Sequence, residues 1–197
     1  MKADGIKRVT EALKKRMEDA LAAALMPGIV FVGPLDDPDV GNAALILFLY
    51  RVVPNASLRN REHRVPSSTP PPAVDVFRNS LPLDLYYLVT VGTMPGSSEE
   101  TPLLRLGIAM QAMQGDPDLT GDKVNHETVH VTLEPLTTEE ASRIWALFPN
   151  ANYRTSVAYL ATPVWIDPPS PEPVAARVVE DQLFAGHKAR EPEELLS

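Results

Sequence analysis

Residues 45–60 constrain this chain more than any other stretch: they read Leu-Ile-Leu-Phe-Leu-Tyr-Arg-Val-Val-Pro-Asn-Ala-Ser-Leu-Arg-Asn. At its start Leu45, Leu47 and Leu49 alternate with Ile46, Phe48 and Tyr50, so both sides of an extended chain are apolar. A strand of that kind is covered on both faces and belongs inside a sheet. The run is far shorter than the ~20 apolar residues that cross a bilayer. We expect it to be the central strand. Arg51 then interrupts it, Pro54 removes a backbone donor, and Asn55, Arg59, Asn60, Arg61 and Arg64 follow. A buried strand therefore delivers a basic segment, 51–64, to the surface.

A chain of 197 residues has room for one domain with an extension. Lys and Arg total 18 against 26 Asp and Glu. The resulting net charge of -8 argues against a general nucleic-acid binder. No cysteine is present, which excludes disulfides, thiolate catalysis and cysteine-ligated metal sites. Charges run through residues 1–26 without a continuous apolar core. No secretory signal and no membrane segment are expected, and the reading is a soluble protein that assembles in the cytoplasm. The 20 prolines cluster, and the clusters mark the joints.

Along the chain, Ile6, Val9, Leu13, Met17, Leu21 and Met26 recur at helical spacing. This predicts an amphipathic helix capped by Asp4 and stopped by Pro27-Gly28. A short strand at 29–32 and an acidic turn at 33–42 lead into the apolar run. Residues 57–80 contain Ser67-Ser68-Thr69-Pro70-Pro71-Pro72 and predict polyproline or irregular chain. A second strong strand spans 81–91, with Leu83, Leu85, Tyr87, Val89 and Val91 on one face. Ser97 with Glu100 makes a capping box, and Pro102 suits a first helical turn. Leu103, Leu106, Met110 and Met113 then mark a helix ending at Gly115. After a polar loop at 116–125, Val129, Val131 and Leu133 alternate in a strand that stops at Pro135. Thr137 with Glu140 caps a short helix carrying Ala141, Ile144, Trp145 and Phe148, and a last strand covers 153–166.

Two parts are expected: a domain at 1–167, and a proline-rich exit with an acidic tail, including Glu191, Glu193 and Glu194, at 168–197. The order is not a regular strand–helix alternation, which disfavours a doubly wound nucleotide fold. It predicts an α+β domain, a mostly antiparallel central sheet with about three helices packed on it.

His126-Glu127-Thr128-Val129-His130 matches the spacing of zinc hydrolases, in which two histidines one helical turn apart share a metal ion and the glutamate activates water. The β-branched surroundings and Pro135 predict a strand instead. There, residues four apart stand about 13 Å from each other, too far for one ion. Asp36, Asp37 and Asp39 read as a solvated acidic turn, and Asp116, Asp118 and Asp122 as a polar turn with only a loose likeness to a calcium loop. Trp145 reads as a core anchor, and Trp165, beside the proline-rich exit, as core or interface.

The segment from Leu47 to Asn60 resembles the Pvc-type tail-terminator N-terminal domain family, the cap proteins of phage-tail-like contractile injection systems. Leu81-Pro82-Leu83-Asp84-Leu85-Tyr86-Tyr87-Leu88-Val89-Thr90, the helix near 104–113, and Leu133-Glu134-Pro135-Leu136-Thr137-Thr138-Glu139-Glu140 with Tyr153-Arg154-Thr155-Ser156-Val157-Ala158-Tyr159 support it in the same order. The resemblance implies a tail-terminator-like fold, a structural rather than enzymatic role, and a homo-oligomeric ring, hexameric in the family. It also implies inner-tube and sheath proteins as partners, a place in a phage-tail-like particle, and no cofactor, metal, nucleic acid or membrane. It supplies no catalytic residue. Arg51, Asn55, Arg59, Asn60, Arg61, Arg64 and Trp165 are the expected interface residues. A zinc hydrolase built on His126, Glu127 and His130 is the competing enzymatic reading, and a monomeric adaptor the competing binding reading.

Overall fold

A computed structural model describes residues 3–66, 74–94, 98 and 100–172. In chain order the elements are α1 (Gly5–Ala23), β1 (Ile29–Val32), β2 (Ala43–Pro54), β3 (His63–Pro66), β4 (Val74–Phe77) and β5 (Leu81–Val91). They continue with α2 (Glu100–Gly115), β6 (Asp118–Leu119), β7 (Val129–Glu134), α3 (Thr138–Trp145) and β8 (Ser156–Ile166). One six-stranded sheet runs β1-β2-β5-β8-β7-β6, and β3-β4 form a separate two-stranded hairpin. Among the described strands of this sheet, only the β1–β2 pair is parallel. Among the described residues the chain adopts the expected α+β class, with a mostly antiparallel sheet and three helices. No helix among the described residues is long and apolar enough to cross a membrane.

The apolar alternation of β2 works as its sequence requires. Leu45 and Leu47 face one core, Ile46 faces the other, and all three are fully buried. Each such burial is worth about 1.5–3 kcal/mol. On the first face, Val9, Leu13, Met17 and Leu21 of α1 and Leu106 and Met113 of α2 pack on Leu85, Tyr87 and Val89 of β5. On the second, Ile144 and Trp145 of α3 with Phe148, Leu35 and Val40 cover Ile46 and Leu88. Beyond Leu47 the cover thins, and Phe48, Leu49 and Tyr50 are only half-buried.

Several expectations change. The middle of the sheet is β5 and β8, and β2 is second from the edge. Nor does β2 end at Tyr50: Val52, Val53 and Pro54 stay paired with Leu85, Asp84 and Leu83 after a bulge between Leu49 and Arg51. Residues 57–80 are not all irregular, since the β3–β4 hairpin runs through them; residues 67–73, which hold the serine–proline run, lie outside the described residues. Asp4 occupies the N-cap position of α1, yet its side chain bonds Arg8 and makes no cap bond. The helix stops before Pro27: Leu25 takes a left-handed φ of 57°, and the Leu25 and Met26 N–H groups return to the Ala22 and Leu21 carbonyls. That is the Schellman termination, with leucine where glycine is usual. On α2 the inward residues include Arg105, whereas Leu103 is half-exposed. Ser97 of the expected capping box lies outside the described residues, as does the tail beyond Glu172. The Thr137–Glu140 box is present with both bonds. Gly92 is needed where the end of β5 crosses the start of β2, because a Cβ there would stand 1.9 Å from the Ala43 carbonyl oxygen.

Candidate functional site

The zinc-like pattern is taken apart by its local backbone. Asn125 and His126 both have left-handed φ angles, 56° and 61°, which turn the chain sharply before β7 begins at Val129. His126 therefore sits on a turn and His130 on a strand. His126 Nε2 lies 2.9 Å from Asp122, and His130 Nδ1 lies 2.6 Å from Asp118. Glu127 turns inward toward His63. The three side chains have three separate partners, so the arrangement that would bind one zinc ion and activate water is not formed. The loose calcium loop is likewise occupied by protein. Arg16 donates to the Asp116 carbonyl, to Asp116 Oδ2 at 2.8 Å and to the Asp118 carbonyl at 2.8 Å. The guanidinium stands where a cation would. Asp37 caps the 3-10 turn at Pro38–Asn42 through the Asp39 N–H.

A buried polar cluster escaped the sequence. His63 on β3 is 8% exposed, and its ring lies flat on Trp165, with centroids 4.6 Å apart and planes 7° from parallel. Its Nδ1 is 2.7 Å from Asp167 Oδ1, and its Nε2 is 3.6 Å from Glu127 Oε2. Ser80 donates to the same Asp167 oxygen at 2.7 Å. Burial pushes the Asp167 carboxyl up, but hydrogen bonds, those from His63 and Ser80 among them, and nearby positive charge outweigh it and hold the group down at about 2. For Glu127 burial dominates and raises the pKa. One atom from each of His63, Glu127 and Asp167 falls within 4.8 Å of the others, a spacing that suits a metal ion. The 2.7 Å contacts, however, are hydrogen bonds that an ion would have to displace. As it stands, the cluster is a clasp. It ties the β3–β4 hairpin, the turn before β7 and the exit after β8 to one point, and the Glu172 N–H on that exit bonds the Val76 carbonyl of β4. His63 and Asp167 are far apart in the chain and share no motif, while Glu127 was claimed by the zinc-like pattern; no sequence signal joined them.

The expected interface residues divide by what they touch. Arg51 is on β2, exposed, with its guanidinium carbon 5.0 Å from the centre of the Tyr86 ring, a cation–π contact. Asn55 is a positioning residue. Its amide donates to Asp84 at 2.9 Å and Thr162 at 3.2 Å, and its carbonyl oxygen accepts from the Ser57 and Leu58 N–H groups. That fixes the turn that follows. Arg59, Asn60 and Arg61 stand exposed on this turn, and among the described residues their side chains have no hydrogen-bond or ionic partner. Arg64 is on β3 and pairs with Glu62 at 3.1 Å. Trp165 is 9% exposed and serves the clasp from inside the fold. The basic segment is thus not one loop. It is a strand end, a turn of three open polar side chains, and a paired arginine on the next strand.

Residues 8–180 match the family described as Pvc16 N-terminal domain. No curated protein matches the sequence significantly. Solved structures resemble the fold, two of them as follows. One is the cryo-EM structure of the anti-feeding prophage cap (AFP tube terminating cap), with a TM-score of 0.59 and 16% identity over 89% of this chain and 60% of that one. The other is the sheath/tube terminator of the extracellular contractile injection system PVC in the extended state. Its TM-score is 0.53 at 16% identity, over 91% of this chain and 64% of that one. The chain therefore spans less than two thirds of the length of either.

Proposed function

The chain belongs to the Pvc16 N-terminal domain family, and on that footing we propose that it is a sheath- and tube-terminating cap of a contractile injection system. The observation that carries the reading is the overlap of the family match, over residues 8–180, with a fold shared by two terminator structures. The role is structural. The cap adds to the end of the inner tube, stops its polymerisation and anchors the last sheath layer. Its partners are further copies of itself in a ring, taken as six, together with the tube and sheath proteins. It assembles in the cytoplasm as part of the particle, with no call on nucleic acid, membrane or catalysis.

A ring repeats one heterologous contact around its axis. The Arg59, Asn60 and Arg61 turn, flanked by Arg51 and Arg64, is the surface proposed to meet an acidic face of a neighbour or of the tube. Among the described residues the Arg59, Asn60 and Arg61 side chains have no partner, and Asn55 fixes the backbone at the start of their turn through the Ser57 and Leu58 N–H groups. Exposed charges of this kind steer docking and set register more than they add affinity. Residues 168–197 are proposed as an arm from the 1–167 domain toward the sheath.

The experiment is localisation. Particles carrying a gold-labelled copy of this chain should show label at one end only, at the terminus of tube and sheath. Label spread along the shaft, or absent from purified particles, would refute the assignment. Arg59→Glu with Arg61→Glu should leave the monomer folded and reduce end labelling.

A further inference from the structure

We propose that Arg105 anchors a carboxylate from a second copy of this chain. Four polar or charged residues are buried among the described residues: His63, Ser80, Thr90 and Arg105. The first three have partners: His63 and Ser80 share Asp167, and Thr90 donates to the Thr155 carbonyl. Arg105 does not. It is 9% exposed on the inward side of α2, its Nε is buried without an acceptor, and no described residue offers it a carboxylate.

A guanidinium keeps its charge in any protein environment, and leaving its Nε–H buried without an acceptor is unfavourable. An apolar residue would fill the same space without that cost. The position makes physical sense when the counter-ion comes from outside the described residues. Two further features fit. Leu103 and Leu104, just before Arg105 on α2, are 52% and 56% exposed, so the start of the helix presents apolar surface. Arginine is among the residues most often found as interface anchors, with apolar neighbours nearby. The planar fork of arginine also matches a carboxylate with two parallel bonds.

The occupant is a second copy because the chain has carboxylates in excess, 26 acidic against 18 basic residues. Asp36 and Asp39 are exposed, and their carboxylates have no partner among the described residues. A cationic anchor on one patch with acidic groups on another is the pattern of a heterologous contact, which closes rings. The inference rests on the ring proposed above and names a contact within it, separate from the Arg59–Arg61 turn.

The test places a photo-reactive benzoylphenylalanine at Leu104, beside the anchor, and irradiates assembled particles. Chain-to-chain crosslinks are expected. Their yield should fall at least ~10-fold with Arg105→Met, the loss of one charge-assisted fork, and less with Arg105→Lys. The isolated Arg105→Met chain should melt at or above the wild-type temperature, since a buried N–H without an acceptor is removed. Crosslinks to a different protein, no crosslinks, or crosslinks undiminished in Arg105→Met would overturn the proposal. Should Arg105→Met fail to fold, Arg105→Gln replaces it under the same criteria. Arg105-dependent chain-to-chain crosslinks with normal tube lengths after deletion of the gene would leave this contact standing and remove the cap reading. Crosslinks to another protein with overlong tubes after deletion would do the reverse.

Discussion

Asp167→Asn is the sharpest perturbation of the clasp. In the native fold the Asp167 carboxyl accepts from His63 and Ser80 at 2.7 Å each, and these bonds, together with nearby positive charge, bring its pKa from 3.8 down to about 2. At 1.36 kcal/mol per pH unit that drop is worth about 2.4 kcal/mol. The sign follows from linkage. A depressed carboxyl contributes its full stability above the unfolded value, and loses it as pH falls from about 4 through about 2. Glu127 acts the other way: burial raises its pKa, so its contribution is greatest below its ordinary value and fades as pH rises through the raised one. The amide introduced by the substitution keeps the shape and an acceptor but not the charge. Urea unfolding at pH 7 should therefore place the variant about 2 kcal/mol below wild type, a midpoint shift near 1 M for a typical denaturant slope. The gap should narrow steadily between pH 4 and pH 2.5. An equal gap at pH 7 and pH 2.5 would refute the charge-based account, and no gap at pH 7 would refute the clasp.

Leu25→Gly should raise stability by about 0.5–1 kcal/mol, because Leu25 is 90% exposed and holds a left-handed φ that glycine adopts freely; a lower unfolding midpoint would contradict it. Arg16→Met should cost about 1.5–3 kcal/mol through the bonds lost to Asp116 and Asp118. It should also speed amide exchange across 116–125, and unchanged exchange would show that the guanidinium does not order that loop. Thr137→Ala should cost ~1 kcal/mol by removing the capping box of α3, read by thermal unfolding.

What could be read in the sequence was what depends on neighbours in the chain. The two-faced run at Leu45, Ile46 and Leu47, the alternation at Leu83, Leu85, Tyr87 and Val89, and the Thr137–Glu140 box each carry a complete local pattern. The β3–β4 hairpin lacks one, because His63, Arg64, Pro66 and Asp75 are poor strand residues and their pairing decides. The inward phase of α2 was hidden because leucines open the helix while the packed side includes an arginine. The basic segment was visible as charge. Its division into the Asn55-fixed turn, the Arg51–Tyr86 stack and the Arg64–Glu62 pair depends on Asp84, Tyr86 and Thr162 from other strands. The clasp joins side chains from three distant segments, and nothing local marks it.

The central claim is that this chain ends tube growth. Its most direct measurement is the tube-length distribution, by electron microscopy, of particles from cells lacking the gene. The account predicts a broad distribution with overlong tubes and detached sheaths, returned to a single narrow peak by the wild-type gene. A narrow distribution of normal length, with sheaths attached, would contradict it.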